Sequence, residues 1–316
     1  MDIDVLGTLA IRERGVSVTP TAPKPRQVLA LLALHAGQVV PVAVLAEELW
    51  GSRPPRSARP TLQTYILQLR ELITVALRHA PAPAGVAAPA ALAAPAAPAG
   101  GVASAGGVAP AASAVSAGVA GGGGGVGVSA KEVLLTVPGG YLLKGGEGTS
   151  DVREFERLAG SGYRAMDAED YPRAARLLRE ALALWSGPAL ADVHTGPHLQ
   201  TEVRRLEESR LCALDQRVEA DLRLGRHREL LAELTVLVDQ YPTHESLCGQ
   251  FMLALYRSGR RGEALDAYQR MRATLVRTMG LEPSAALGKL QRSILMSGPG
   301  LLPAARAAGA SPAPVG

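Results

Sequence analysis

Arg53, Arg56 and Arg59 follow one another with no acidic residue among them and lead straight into Thr61-Leu62-Gln63-Thr64-Tyr65-Ile66-Leu67-Gln68-Leu69-Arg70. Guanidinium groups spaced this closely neutralise phosphates, and amide or hydroxyl side chains along one helical face reach base edges in a groove. The chemistry suggested is recognition of duplex nucleic acid. It requires residues 61–77 to form a helix with one face free. Leu62, Ile66, Leu69, Ile73 and Ala76 meet that requirement, because their spacing places them on one narrow stripe that a core would cover. At about 100° per residue, the opposite side carries Thr64, Leu67, Gln68 and Glu71, flanked by Gln63 and Arg70 on one edge and Thr61 on the other. An ordinary solvated amphipathic helix has the same pattern, and this stretch alone does not separate the two.

Other chemistry is sparse. His194 and His198 have the spacing of metal ligands on a helix, but Gly196 and Pro197 interrupt a helix there and no acidic or Cys partner lies between them. Glu207-Glu208 lie between Arg204-Arg205 and Arg210, where ion pairing along a solvated helix accounts for them. Gly122, Gly124 and Gly127 satisfy G-x-G-x-x-G, yet no strand precedes them and no helix follows. No phosphate-binding loop, nucleophile elbow or zinc-spaced Cys pair is present. The sequence therefore predicts no enzyme, no cofactor and no metal.

The elements needed to present the 61–77 helix can be read around it. Residues 4–7, 8–12 and 15–18 are short β-type runs. Pro23-Lys24-Pro25 opens a helix from Arg26 to about Ala36, and Val40-Pro41 opens another from Val42 to Trp50, stopped by Gly51. Three helices with short turns, the last basic at its start, form the tri-helical core of many DNA readers. Glu132 to Val137, a turn at Pro138-Gly139-Gly140, and Tyr141 to Lys144 read as a β-hairpin, the wing.

Between helix and wing, residues 80–130 hold no charged residue or histidine, and six prolines with twelve glycines leave no clean membrane-spanning helix. The expectation is a disordered Ala/Gly/Pro-rich insertion, with a second loose segment at 298–316. From 151 to 297 the pattern is helical. Leu224-Gly225-Arg226 recurs as Ser258-Gly259-Arg260 at the tetratricopeptide period, so stacked helix hairpins are expected, although a bundle that only connects or dimerises shares these features.

Charge follows the same division. The net charge is +4; residues 1–79 carry nine Lys/Arg against six Asp/Glu, whereas 151–297 carry 21 of each. Cys212 and Cys248 sit among helical apolar positions, where reduced, buried thiols are expected, and Met1-Asp2-Ile3-Asp4 lacks a signal-peptide pattern, so a cytoplasmic protein is expected.

Several runs, in order, resemble the Streptomyces antibiotic regulatory protein family in its short form. Residues 25–32, Leu49-Trp50-Gly51, Pro54-Pro55, Ala58-Arg59, Leu62-Gln63-Thr64-Tyr65, Leu69-Arg70 and Gly140-Tyr141-Leu142-Leu143 are similar to its OmpR-type winged helix. Phe155-Glu156-Arg157-Leu158, residues 181–192, Leu222 to His227, Met252 to Arg260 and Gly280-Leu281-Glu282-Pro283 are similar to its bacterial transcriptional activation domain. The resemblance implies a mainly α fold: a winged helix-turn-helix with small β-sheets over 1–79 plus 131–147, then an all-α tetratricopeptide-like domain over 151–297.

It also implies a transcriptional activator of a secondary-metabolite gene cluster. Such a protein binds promoter direct repeats in double-stranded DNA as a homodimer or as tandem protomers, recruits RNA polymerase holoenzyme, and works in the cytoplasm at the nucleoid. Gln63, Thr64, Leu67 and Gln68 would face bases, Arg59, Thr61 and Arg70 would meet phosphates beside the basic Arg56, and Gly139, Gly140 and Tyr141 would form the wing tip. The family usually has a small polar residue and then Arg where this chain has Leu67-Gln68, which makes contact with a thymine methyl plausible. On residues alone, a tetratricopeptide-like adaptor that binds protein rather than DNA is the alternative.

Overall fold

A computed structural model describes residues 1–79, 129–146 and 148–297. The insertion and tail expected at 80–130 and 298–316, apart from Ser129 and Ala130, lie outside the described residues. The chain opens with an antiparallel sheet of β1 (Asp2–Asp4), β2 (Ala10–Glu13) and β3 (Val16–Ser17), in that order. Helix α1 (Pro23–Leu34) follows with prolines in its first turn, where a missing N–H costs nothing. Then come β4 (Val39–Pro41), α2 (Val42–Trp50) and α3 (Ala58–Arg78).

The second sheet joins β4 to a hairpin of β5 (Leu134–Val137) and β6 (Gly140–Leu143), in the order β4-β6-β5. Strand β4 stands where only the approach to α2 was expected; Pro41 is tolerated because β4 is an edge strand. A helix also stands where the start of the hairpin was expected. Ser129 caps a short helix, α4 (Ala130–Val133), in a reciprocal capping box with Glu132, so residues 132 and 133 are helical rather than the start of the strand.

The remainder is helical: α5 (Asp151–Asp167), α6 (Tyr171–Leu182), α7 (Pro197–Arg223), α8 (His227–Gln240), α9 (Glu245–Arg257), α10 (Arg261–Met279) and α11 (Ala285–Leu295). The repeated turns end helices alike. Gly225 and Gly259 take φ values of +77° and +81°, and the following Arg226 and Arg260 amides donate back to the Asp221 and Leu255 carbonyls at 3.0 and 2.9 Å. Asp170 does the same to Ala165 at 2.9 Å, with Glu169 at the left-handed position. This is the winged helix and tetratricopeptide-like architecture that the sequence led us to expect.

The apolar cores divide differently from the sequence segments. One core unites the first sheet, α1–α4, the wing strands and α5–α7, down to Ala213; a second holds Val218 and Leu222 of α7 with α8–α11, and a small third sets Ala220 of α7 against Ala165, Ala174 and Ala175. Within the first, Phe155 meets Trp185 edge-on at 5.5 Å. Carboxylates fasten the two parts together. Asp151 accepts from the Val5 and Leu6 amides at 2.6 and 2.7 Å, and Asp192 accepts from Leu9 N at 2.8 Å and pairs with Arg26. Helix α3 is thus carried by a scaffold that includes the start of the helical part.

Candidate nucleic-acid interface

Helix α3 buries Ala58, Leu62, Ile66, Leu69, Ile73 and Ala76. The apolar stripe is therefore against the core, and Gln63, Thr64, Leu67, Gln68 and Glu71 are exposed on the other side. Leu67 is 58% exposed on this outward face. The Thr64 hydroxyl donates to the Pro60 carbonyl at 3.1 Å, which fixes its rotamer and leaves the oxygen free to accept. Thr61 is half-buried at the helix edge.

The amino end of α3 is electropositive for two independent reasons. Its first turn has no acidic residue and no side-chain cap, so the aligned N–H groups carry uncompensated partial charge. Arg53, Arg56 and Arg59 are exposed there and have no ion-pair partner among the described residues. All three remain available to an anion.

The wing turn comes alongside this end. A groove is lined by Arg59, Leu62 and Gln63 of α3, Val42 of α2, and Thr136, Val137, Gly139, Gly140 and Tyr141 of the hairpin. Gly139 sits in the turn, its carbonyl accepting from Val42 N at 2.9 Å. Gly140 is required by closeness: a Cβ there would stand 2.4 Å from the Val40 carbonyl oxygen. The wing tip is correspondingly narrower than the sequence suggested. The turn is Pro138-Gly139, while Tyr141 lies in β6 opposite Thr136 and Val40 and is only 7% exposed. Strand alternation turns its ring inward.

Arg70 also has a task that its helical position did not reveal. Its Nε and Nη2 donate to the Leu134 carbonyl at 3.1 and 2.8 Å, and Nη2 donates to Thr136 Oγ1 at 2.8 Å. The guanidinium expected on a phosphate is turned to the wing strand. Two further polar residues carry no signal in the sequence. Gln27 and Glu48 are buried together behind α1 and α2, with Gln27 Nε2 2.8 Å from Glu48 Oε1, and Glu48 reaches the start of α7. His198 pairs there with Glu47 at 3.1 Å. No group of three or more metal-ligating side chains occurs among the described residues, and no helix among them is long and apolar enough to cross a membrane.

Residues 150–295 match the family described as bacterial transcriptional activator domain, and residues 17–81 match transcriptional regulatory protein, C terminal. The chain is 46% identical to the regulatory protein DnrI of Streptomyces peucetius, over 95% of this chain and 94% of that one. It is 31% identical to the transcriptional regulator RedD of Streptomyces coelicolor, over 95% of this chain and 71% of the relative. Among solved structures, EmbR of Mycobacterium tuberculosis, in complex with a low-affinity phosphopeptide, superposes with a TM-score of 0.72 at 28% identity. That match covers 94% of this chain and 65% of EmbR.

Proposed function

The chain belongs to the family of Streptomyces antibiotic regulatory proteins, DNA-binding transcriptional activators, and we propose that its helix α3 reads short direct repeats in the promoters of one biosynthetic gene cluster. The observation that carries this reading is the exposed polar face of α3 beside the groove it shares with the wing turn, with free arginines at its amino end. Gln63, Thr64, Leu67 and Gln68 face the major groove. The two glutamines donate to and accept from base edges, and Leu67 packs on a thymine methyl. Arg56, Arg59 and Thr61 hold phosphates and set the register, and the Pro138-Gly139 turn, with the Gly140 backbone behind it, meets the neighbouring backbone. A homodimer or two protomers in tandem occupy adjacent repeats, which raises affinity through simultaneous contact. The helical part presents its surface to RNA polymerase holoenzyme, and the protein acts at the nucleoid in the cytoplasm.

The test is a pair of substitutions read on specific and random duplexes across a salt series. Arg59→Ala should weaken binding to every sequence and reduce the salt slope by about 1, whereas Gln68→Ala should cost ~1–3 kcal/mol at one base position and relax the preference there. Equal effects of both variants on both kinds of DNA would refute the assigned roles. Absence of any salt-sensitive, sequence-preferring binding would favour a protein-binding adaptor instead.

A further inference from the structure

Arg70 stands on the edge of α3 nearest the wing, half-buried, and its two bonded nitrogens reach a strand 64 residues away in sequence. Strand β5 is the outer strand of its sheet. The Val133 carbonyl accepts from Lys144 N on the inner side, so by strand alternation the next carbonyl, that of Leu134, points to the free edge. Arg70 supplies that carbonyl with its donors and adds the Thr136 hydroxyl one residue pair further on. In this chain residues 80–128 separate the reading helix from the wing, so a short connection does not fix their distance and contacts across the gap must do so.

We propose that Arg70 is a positioning residue that holds the wing at its working distance from the reading face of α3, and that it makes no phosphate contact of its own. The effect on DNA binding rests on the reading of α3 given above. Arg70→Met, Arg70→Lys, Thr136→Val and the Arg70→Met/Thr136→Val pair test it by fluorescence anisotropy across a salt series, with thermal midpoints measured alongside. The probe is a duplex selected by the wild-type protein from a random library. Arg70→Met should weaken specific binding about tenfold while the slope of log K against log salt stays at the wild-type value, because a wing that contacts phosphates through backbone N–H groups releases few counterions. Thr136→Val, which changes no charge, should give part of the same loss. The double variant should lose no more than Arg70→Met alone, and Arg70→Lys should recover only part, since one ammonium cannot reproduce the fork. A slope lowered by about 1 in Arg70→Met with Thr136→Val behaving as wild type overturns the proposal, and so does unchanged affinity.

A second readout needs no DNA. Nitroxide labels at Glu71→Cys and Pro138→Cys, in a Cys212→Ser background, report the distance between helix and wing tip. A narrow distribution that broadens in Arg70→Met supports the tie even if the wild-type protein bound no selected duplex, and an unchanged distribution overturns it.

Discussion

Replacing Glu48 should loosen the whole molecule from its middle. The 27-residue helix α7 starts at Gly196-Pro197, where the cap residue has no side chain and the first helical residue has no N–H. Its free donors are met from across the junction. The Glu48 carboxylate, on a residue 2% exposed, accepts from the backbone N–H groups of Gly196 at 2.5 Å, His198 at 2.9 Å and Leu199 at 3.1 Å, and from Gln27 Nε2 at 2.8 Å. A carboxylate at a helix amino end also meets the positive end of the helix dipole. Glu48→Ala leaves four donors to water that reaches them imperfectly; at about 1 kcal/mol for each, the loss is about 3–5 kcal/mol. For a protein of this size about 2–4 °C follows each kcal/mol, so the thermal midpoint should fall by about 6–20 °C. Differential scanning calorimetry measures it. Glu48→Gln, which keeps one acceptor oxygen, should fall between the variant and wild type. A fall of less than about 3 °C in Glu48→Ala would show that the junction is held by apolar packing alone and would refute the reasoning.

Gly196→Ala should be destabilising by about 1–3 kcal/mol in the same assay, because the added Cβ would lie 2.1 Å from the Glu48 backbone oxygen, which cannot swing aside; a neutral result would contradict the close approach. Burial pushes the Cys248 thiol up to about 12, so at pH 8 only about one molecule in ten thousand carries its thiolate. Cys212, expected buried, is exposed, so Ellman's reagent should titrate only Cys212 in the native protein and both thiols after denaturation; two fast thiols in the native state would be incompatible with the burial of Cys248. Replacing residues 80–128 by about ten Gly/Ser residues should raise stability by about 1.4 kcal/mol through the shorter closure, with DNA affinity kept; a chain that no longer folds would show that the insertion has a structural role.

The parts of this fold that were legible in the sequence are those governed by one period. The buried seam of α3 repeats every helical turn, and the helical part carries glycines where its turns need a left-handed residue, so Leu62 to Ala76 and the Gly225 and Gly259 turns could be placed from spacing alone. The exposed polar face followed by subtraction. Strand β4 escaped because three residues including Pro41 carry no period, and its existence depends on β6 arriving from about a hundred residues later. Helix α4 has its own sequence signal, the Ser129-x-x-Glu132 capping box. Tyr141 was expected at the wing tip, but its pairing in β6 with Val40 and Thr136 puts its ring in the core.

The tasks of Arg70, Gln27 and Glu48 were not legible. Each satisfies a backbone or amide group that only the folded chain brings near, and nothing about their own neighbours in sequence distinguishes them from surface residues. The same holds for the shared core, since α5 and α6 show an amphipathic face without saying that the first sheet will cover part of it.

The most direct measurement is a hydroxyl-radical footprint of the full-length protein on the promoters of its neighbouring biosynthetic genes, made with wild type and with a Gln63→Ala/Gln68→Ala variant. Wild type should protect short tracts recurring at about one helical turn, ~10 base pairs, and the variant should lose those tracts while still binding random DNA through Arg56 and Arg59. Tracts that persist unchanged in the variant would contradict the central claim that the outward face of α3 reads the sequence.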